Sequence, residues 1–382
     1  MVPTFWADAR LGGDDGRRAL EWLAGTEGER ELRRKAGEGL TMEDMDRYHE
    51  TISSHQPPTT EHPEPSSFVS YVYAVSLVMT RAVVIDAYHG IAIVPFCDLL
   101  NHSSSTAHTS FCCDAFVCPI CGSLTVCEHD SSDLERLAHL PQSYIDEMEE
   151  QGNVVDMRVV RAIKKGEEVF SLYDEGMGDG KLLVEWGFIE RNGAGDGLIW
   201  SPRELLNGTT ARLYMTLING SYLDDTAQRR TVSTQKDPIN WRLIAPPDAE
   251  RNPLLNVYPS GRVSIYLLTA LYLQLKDDGA KLADVEDAGR EIIEAVDEIE
   301  QRHLGDGSAL TSTPALLVQH VVQLLEARMS KVYRPDLSAH DLVTINTDLP
   351  TSAPLERMAL GLAIDERALM EGVLSKWRSL SQ

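Results

Sequence analysis

All six cysteines of the 382-residue chain lie between Cys97 and Cys127: Cys97, Cys112, Cys113, Cys118, Cys121 and Cys127. Cys118-Pro-Ile-Cys121 places two thiols at the spacing of a metal-binding turn. Cys127, with His129 or Cys113, completes a set of the kind that holds zinc tetrahedrally. Four protein ligands leave no open coordination position, so such a metal is expected to be structural. The bland alternative is a set of free thiols in a variable loop. A redox Cys-x-x-Cys needs a strand before it and a helix after it, and neither pattern is present. A secreted disulfide scaffold would spread its cysteines along a small chain. Two other stretches hold residues able to do chemistry. VPFCDLLNHS, residues 94–103, ends on Asn101-His102, and the run 163–188 carries Tyr173, Trp186 and Phe188. Taken singly, Asn-His is an ordinary turn, Tyr173 a strand-end cap and Trp186 a core side chain. Arg81 reads equally well as an ion-pair partner of Asp98.

The elements that must position these residues follow from periodicity. Residues 14–50 read as helices, with Leu20, Leu23 and Leu32 on their apolar side and a break at Gly37 and Gly39. Thr41 opens the next helix in the manner of a capping box. Residues 55–67 hold four prolines and are expected to form a surface loop. Residues 68–80 carry a wide apolar face (Val72, Val75, Ser76, Met79), which predicts a buried helix. Residues 82–96 read as two short strands turning at His89-Gly90, and residues 157–173 as strand, turn at Lys165-Gly166, strand. Between them lie the cysteine-rich insertion, 103–132, and a polar helical stretch, 133–150. Beyond about Leu205 the pattern is helical, as in Val263, Tyr266, Leu267, Ala270 and Leu271. The expectation is an α+β chain: a β-rich half, then an all-helical half, divided near residues 191–206, with no internal repeat.

Together and in this order, the two chemical stretches resemble the signature motifs of SET-domain protein-lysine methyltransferases. The branch is that typified by the Rubisco large-subunit methyltransferase and its fungal relatives. The resemblance implies a SET core with a pseudoknot, an inserted helical subdomain and a helical substrate-binding domain. On this sequence those would be residues 81–192, 1–80 and 205–382. It implies S-adenosylmethionine as cofactor, with Thr80, Arg81, Asp98, Asn101 and His102 binding it and Tyr173 as the catalytic residue. Trp186, where relatives carry a tyrosine, and Phe188 would line the channel for the target lysine. Methyl transfer to an amine is an in-line displacement that needs positioning and a dry site more than a strong base. The family also opens with a Gly-x-Gly strand. The literal match, Gly37-Glu38-Gly39, sits between helical stretches and reads as a helix break. The first strands of the core are therefore expected to be missing, and the cofactor pocket to lack one wall.

Composition narrows the partners. The 59 acidic against 35 basic residues give a formal charge of -24, which repels phosphate backbones. Nucleic acid and membranes are not expected partners; a lysine-bearing protein is, and the oligomeric state is left open. The first residues lack the basic start and apolar run of a signal peptide, and the most apolar stretch, 71–85, is short and interrupted by Arg81. An intracellular protein, cytoplasmic or nuclear, is expected. Three functions compete. The first is a lysine methyltransferase acting on a non-histone protein. The second is an inactive, truncated SET-like module that only binds its partner. The third is an interaction protein built on the cysteine loop.

Overall fold

Thr41 begins its helix as its sequence predicts. Its Oγ1 accepts from the Asp44 N–H, and Asp44 Oδ2 accepts from the Thr41 N–H, so two orphan donors are satisfied reciprocally. In the computed structural model the described residues are 2–36, 41–55, 67–86, 88–112, 117–118, 120–123, 126–130, 143, 146, 155–173, 178–190, 197–219, 244–245, 255–258, 260–276, 285–303 and 309–380. Gly37 to Gly39, most of 55–67 and nearly all of 133–150, read above as helix break, loop and helix, lie outside them. The chain divides into two compact units. One comprises residues 1–2, 40–177 and 185–193, and the other residues 3–39, 178–184 and 194–382. Among the described residues no helix is long and apolar enough to cross a membrane.

The first unit holds helices α3 (Met42–His55) and α4 (Phe68–Arg81), which Ser67 caps by accepting from the Ser70 N–H. The antiparallel hairpin β1 (Val83–Asp86) and β2 (Gly90–Ala92) turns through Gly90, at φ +69°. Asp86 organises that turn by accepting from the N–H groups of Tyr88 and His89 and pairing with His89 Nδ1. Four short strands then form one sheet: β3 (Asn101–His102), β4 (Thr109–Cys112), β5 (Asp156–Val159) and β6 (Phe170–Ser171), in the order β3-β6-β4-β5. The turn expected at Lys165-Gly166 is present, with Gly166 at φ +85°, but its flanking strands do not pair with each other. β5 pairs with β4, whereas β6 lies parallel between β3 and β4. A later strand is thus inserted between two earlier ones.

Helix α4 departs from its expected burial. Only Val72 and Ser76 are buried, while Tyr73, Leu77 and Met79 are exposed. The physical reason lies in the site below, where the outer stripe of α4 forms a wall of the cleft rather than a core contact.

The second unit is chiefly helical: α1 (Gly13–Leu23), α2 (Glu27–Lys35), α6 (Pro202–Leu205), α7 (Gly208–Asn219), α8 (Ile265–Lys276), α9 (Val285–His303), α10 (Ser312–Met329), α11 (Ala339–Asp348) and α12 (Pro354–Leu380). The C-terminal half is not all-helical, however. A small sheet of β7 (Leu198–Trp200), β8 (Ile244–Ala245), β9 (Leu255–Val257) and β10 (Val263–Ser264) runs in the order β7-β9-β10-β8. β10 is two residues long and feeds straight into α8, so the helical spacing of 263–271 conceals it. Apart from these elements, α5 (Asp179–Trp186) follows the β6 segment. The core of the second unit gathers Trp200, Tyr214, Val257, Ile292, Val321 and Trp377, all essentially inaccessible.

Helix α1 docks on α12 through polar as well as apolar contacts. Asp15 caps α12 by accepting from the N–H groups of Leu355 and Glu356, the free donors of that helix end. Glu356 in turn accepts from Arg18 Nε and Trp22 Nε1. A second buried cluster centres on Arg328. Its guanidinium meets Glu27 at 2.7 Å and Glu366 at 3.6 Å, donates to the Ile199 carbonyl, and lies over the Trp200 ring. Arg30 Nε also meets Glu27, at 3.3 Å. Burial pushes the Glu366 carboxyl up to about 8, against the opposing pull of Arg328.

Candidate functional site

Parallel pairing of β3 with β6 sets Asn101 opposite Phe170 and His102 opposite Ser171. That register decides where Tyr173 falls, two residues past the end of β6. Its N–H donates to His102 Nδ1 at 3.1 Å, although the two residues are 71 apart in sequence. Its hydroxyl donates to the Leu100 carbonyl at 2.8 Å. The phenol is therefore anchored at both ends by the turn that ends in Asn101-His102. Burial raises the Tyr173 pKa, against the opposing charge of Arg81, so the hydroxyl stays protonated at neutral pH.

Because His102 Nδ1 accepts that N–H, its Nε2 carries the proton in the neutral ring, and Nε2 lies 3.6 Å from Glu190 Oε2. Glu190 also accepts from Ser103 Oγ and the Ser104 N–H. Burial raises the Glu190 carboxyl, but these hydrogen bonds and the nearby imidazole outweigh it and hold the pKa below the ordinary value.

Tyr73, Ser76, Leu77, Thr80, Arg81, Asn101, His102, Tyr173, Trp186 and Phe188 line one cavity of about 350 Å³ within the first unit. Tyr73, Ser76, Leu77 and Thr80 recur at helical spacing, which is why α4 leaves that stripe open. The rings of His102, Trp186 and Phe188 surround Tyr173, with centroids 5.1, 5.9 and 6.4 Å from its own. Thr80 Oγ1 donates back to the Ser76 carbonyl, so its proton is spent within the helix and it offers the cavity an acceptor. Arg81 Nη1 donates to the main-chain carbonyl of Asp98 at 2.7 Å. The contact read from sequence as an ion pair is thus made by the Asp98 backbone, and the Asp98 side chain is not among the groups lining the cavity. Phe96, at φ +74°, turns the chain sharply into a 3₁₀ turn, Cys97–Leu99, which carries Asp98. Asn101 Nδ2 donates to Glu168 Oε1.

Thr80, Arg81, Asn101, His102, Tyr173, Trp186 and Phe188, the set that the family resemblance implies, are brought together around this cavity. Sequence reasoning missed Tyr73, Leu77, Glu168 and Glu190. The stripe of Tyr73 with Thr80 was there to be read; the two acids carry no local pattern. A guanidinium and an amide at one side and aromatic faces at another suit a ligand bearing both a charged amino-acid end and a flat ring.

Away from the cavity, Cys118, Cys121, Cys127 and His129 gather with their ligand atoms all within 4.8 Å of one another. Cys113, the alternative fourth ligand, lies outside the described residues.

No family model matches the chain. It is 26% identical over 159 residues to Ribosomal lysine N-methyltransferase 3 of Saccharomyces cerevisiae, an alignment taking in 32% of this chain and 28% of that protein. This match bears out the resemblance to lysine methyltransferases read from the paired motifs, over little more than a quarter of the yeast protein's length. Among solved structures, the SET domain of LSMT bound to lysine and AdoHcy aligns with a TM-score of 0.47 and 14% identity, covering 99% of this chain and 68% of that one. Rubisco LSMT bound to AdoMet aligns with a TM-score of 0.44 and 14% identity, covering 96% and 66%.

Proposed function

We propose that this chain is an S-adenosylmethionine-dependent protein-lysine N-methyltransferase acting on a non-histone protein. One observation carries the reading: Tyr173 and the Asn101-His102 corner, far apart in sequence, are hydrogen-bonded neighbours lining a single cavity. When bound, S-adenosylmethionine supplies a methyl group made electrophilic by a positively charged sulfur. Arg81, Thr80 and Asn101 would hold its amino-acid end, and the α4 stripe its flat part. The work left to the protein is to bind, orient and dry an amine. His102 and Leu100 fix Tyr173 in place, and burial keeps its phenol neutral. Trp186 and Phe188 bring aromatic faces that exclude water and favour an alkylammonium by cation–π attraction.

The substrate class follows from charge. A surface with a formal charge of -24 attracts basic, lysine-rich proteins. The yeast relative is named for ribosomal lysines, and a ribosomal protein fits that preference. Calorimetric titration with S-adenosylmethionine, followed by mass spectrometry of lysines after incubation with ribosomal proteins and, separately, with core histones, tests the reading. Expected are one cofactor per chain and methyl groups on ribosomal protein alone. No cofactor binding, or binding unchanged by Asn101→Ala, would remove its basis; transfer to histones would remove the non-histone part.

A further inference from the structure

We propose that Cys118 Sγ, Cys121 Sγ, Cys127 Sγ and His129 Nδ1 are the four ligands of a structural zinc site, and that this site braces the β1–β2 hairpin. The geometry carries the argument. His129 Nδ1 lies 3.9 Å from Cys118 Sγ and 3.8 Å from Cys127 Sγ. Zinc bonded tetrahedrally to sulfur at about 2.3 Å and nitrogen at about 2.05 Å sets its ligand atoms roughly 3.6–3.8 Å apart. These two separations are close to those of ligand atoms around a common centre, and longer than direct hydrogen bonds with useful strength. Nδ1, not Nε2, faces the sulfurs, and Nε2 points outward toward Glu128 at 3.9 Å.

The local backbone is shaped for the same purpose. The Gly122 N–H donates to the Cys118 carbonyl and the Cys118 N–H to the Ser123 carbonyl, closing a tight turn around the first thiol. Gly122 takes φ +75°, which a glycine directly after the second cysteine permits. Three sulfurs and an imidazole packed this closely gain little from one another as neutral groups. A divalent ion binds them as three thiolates and one neutral imidazole, the three thiol protons passing to solvent. Cys113 is not needed, since four ligands are already assembled.

The turn also touches the rest of its unit. A Cβ on Gly122 would stand 2.6 Å from Cδ1 of Tyr88, so the Tyr88 ring rests directly on this glycine. Tyr88 belongs to the turn of the β1–β2 hairpin, and that hairpin links Arg81 to the 3₁₀ turn carrying Asp98. A metal-set turn thereby buttresses the stretch of chain between two parts of the cavity wall.

The test is metal analysis of the full chain, with cobalt(II) as a spectroscopic substitute. About one zinc per chain is expected, falling below about a tenth in Cys118→Ser. Cobalt should give the strong visible bands of tetrahedral thiolate coordination, weakened or shifted in His129→Ala. Amide exchange at residues 83–92 should rise when a chelator strips the metal. Metal-free wild-type protein that takes up neither ion, or a full equivalent retained by Cys118→Ser, would overturn the site. Hairpin exchange indifferent to metal removal would overturn the bracing role. None of these readouts depends on methyl transfer.

Discussion

At the scale of the residue, Tyr173 owes its position to two hydrogen bonds, one through its backbone and one through its hydroxyl. Tyr173→Phe keeps the first and deletes the second. Under the proposed function, methyl transfer should fall by roughly 10², because the ring loses the bond to Leu100 that positions it, while cofactor affinity stays within about threefold. Single-turnover rates and calorimetry separate the two. Glu190 works at one remove, steadying His102 and the Ser103–Ser104 turn. Removing the hydrogen bonds that the Glu190 carboxylate accepts, in Glu190→Ala, costs roughly 1–3 kcal/mol, so cofactor binding should weaken about tenfold. Glu190→Gln keeps an acceptor and should bind within about threefold of the native protein. Equal losses in the two variants would mean that the charge, not the hydrogen bonding, matters. Neither acid near this site was legible in the sequence. Glu190 follows a motif without belonging to it, and Glu168 meets Asn101 only after two strands pair in parallel. The aromatic and amide residues were legible because their order along the chain is itself informative.

At the scale of the element, glycines show how the same substitution changes sign with backbone and space. Gly197, before β7, has φ +72°, and a Cβ there would meet the Val257 carbonyl oxygen at 2.0 Å. Gly197→Ala should destabilise the protein by several kcal/mol, since neither the left-handed backbone nor the neighbouring strand can give. Gly372, inside α12, has nothing within 4 Å of its would-be Cβ. Gly372→Ala should stabilise by about 0.5–1 kcal/mol through helix propensity. Urea denaturation of both variants checks the pair of signs. Helices long enough to show their periodicity, such as α10 and α12, were plain in the sequence, and so was the Thr41 cap. The strands β8 and β10 were not, because at two residues each they are shorter than any alternation can register. Of the α4 face read as buried, Val72 and Ser76 are buried and Met79 is exposed, while the neighbouring Tyr73–Leu77 stripe faces the cleft. Hydrophobic spacing tells which side of a helix is apolar, but not whether protein or a cleft lies against it.

At the scale of the whole molecule, buried charge couples stability to pH. The Glu366 carboxyl, pushed up to about 8, binds its proton more tightly folded than unfolded. Its contribution is fully present below the ordinary carboxylate range, near 4.5, and is lost as pH rises through 8. The melting temperature should therefore decline between pH 5 and pH 9 by an amount that Glu366→Gln, which cannot ionise, largely removes. At about 2–4 °C per kcal/mol for a unit this size, the difference is readable by calorimetry. A slope identical in both proteins would place the titration elsewhere. The clustering of Glu27, Arg328 and Glu366 joins three stretches that nothing in their local sequence links, so it could be found only in three dimensions.

The docking of α1 on α12 also bears on how the protein is made. Asp15 reaches a partner 340 residues further along. A ribosome adding about 5–20 residues per second needs roughly 17–70 s to supply that partner after α1 emerges. Throughout that interval Trp22 lacks its partners Glu356 and Tyr333, and an apolar ring must be shielded by transient contacts or by a chaperone. Vectorial synthesis thus leaves the seat of α1 empty long after α1 itself has been made.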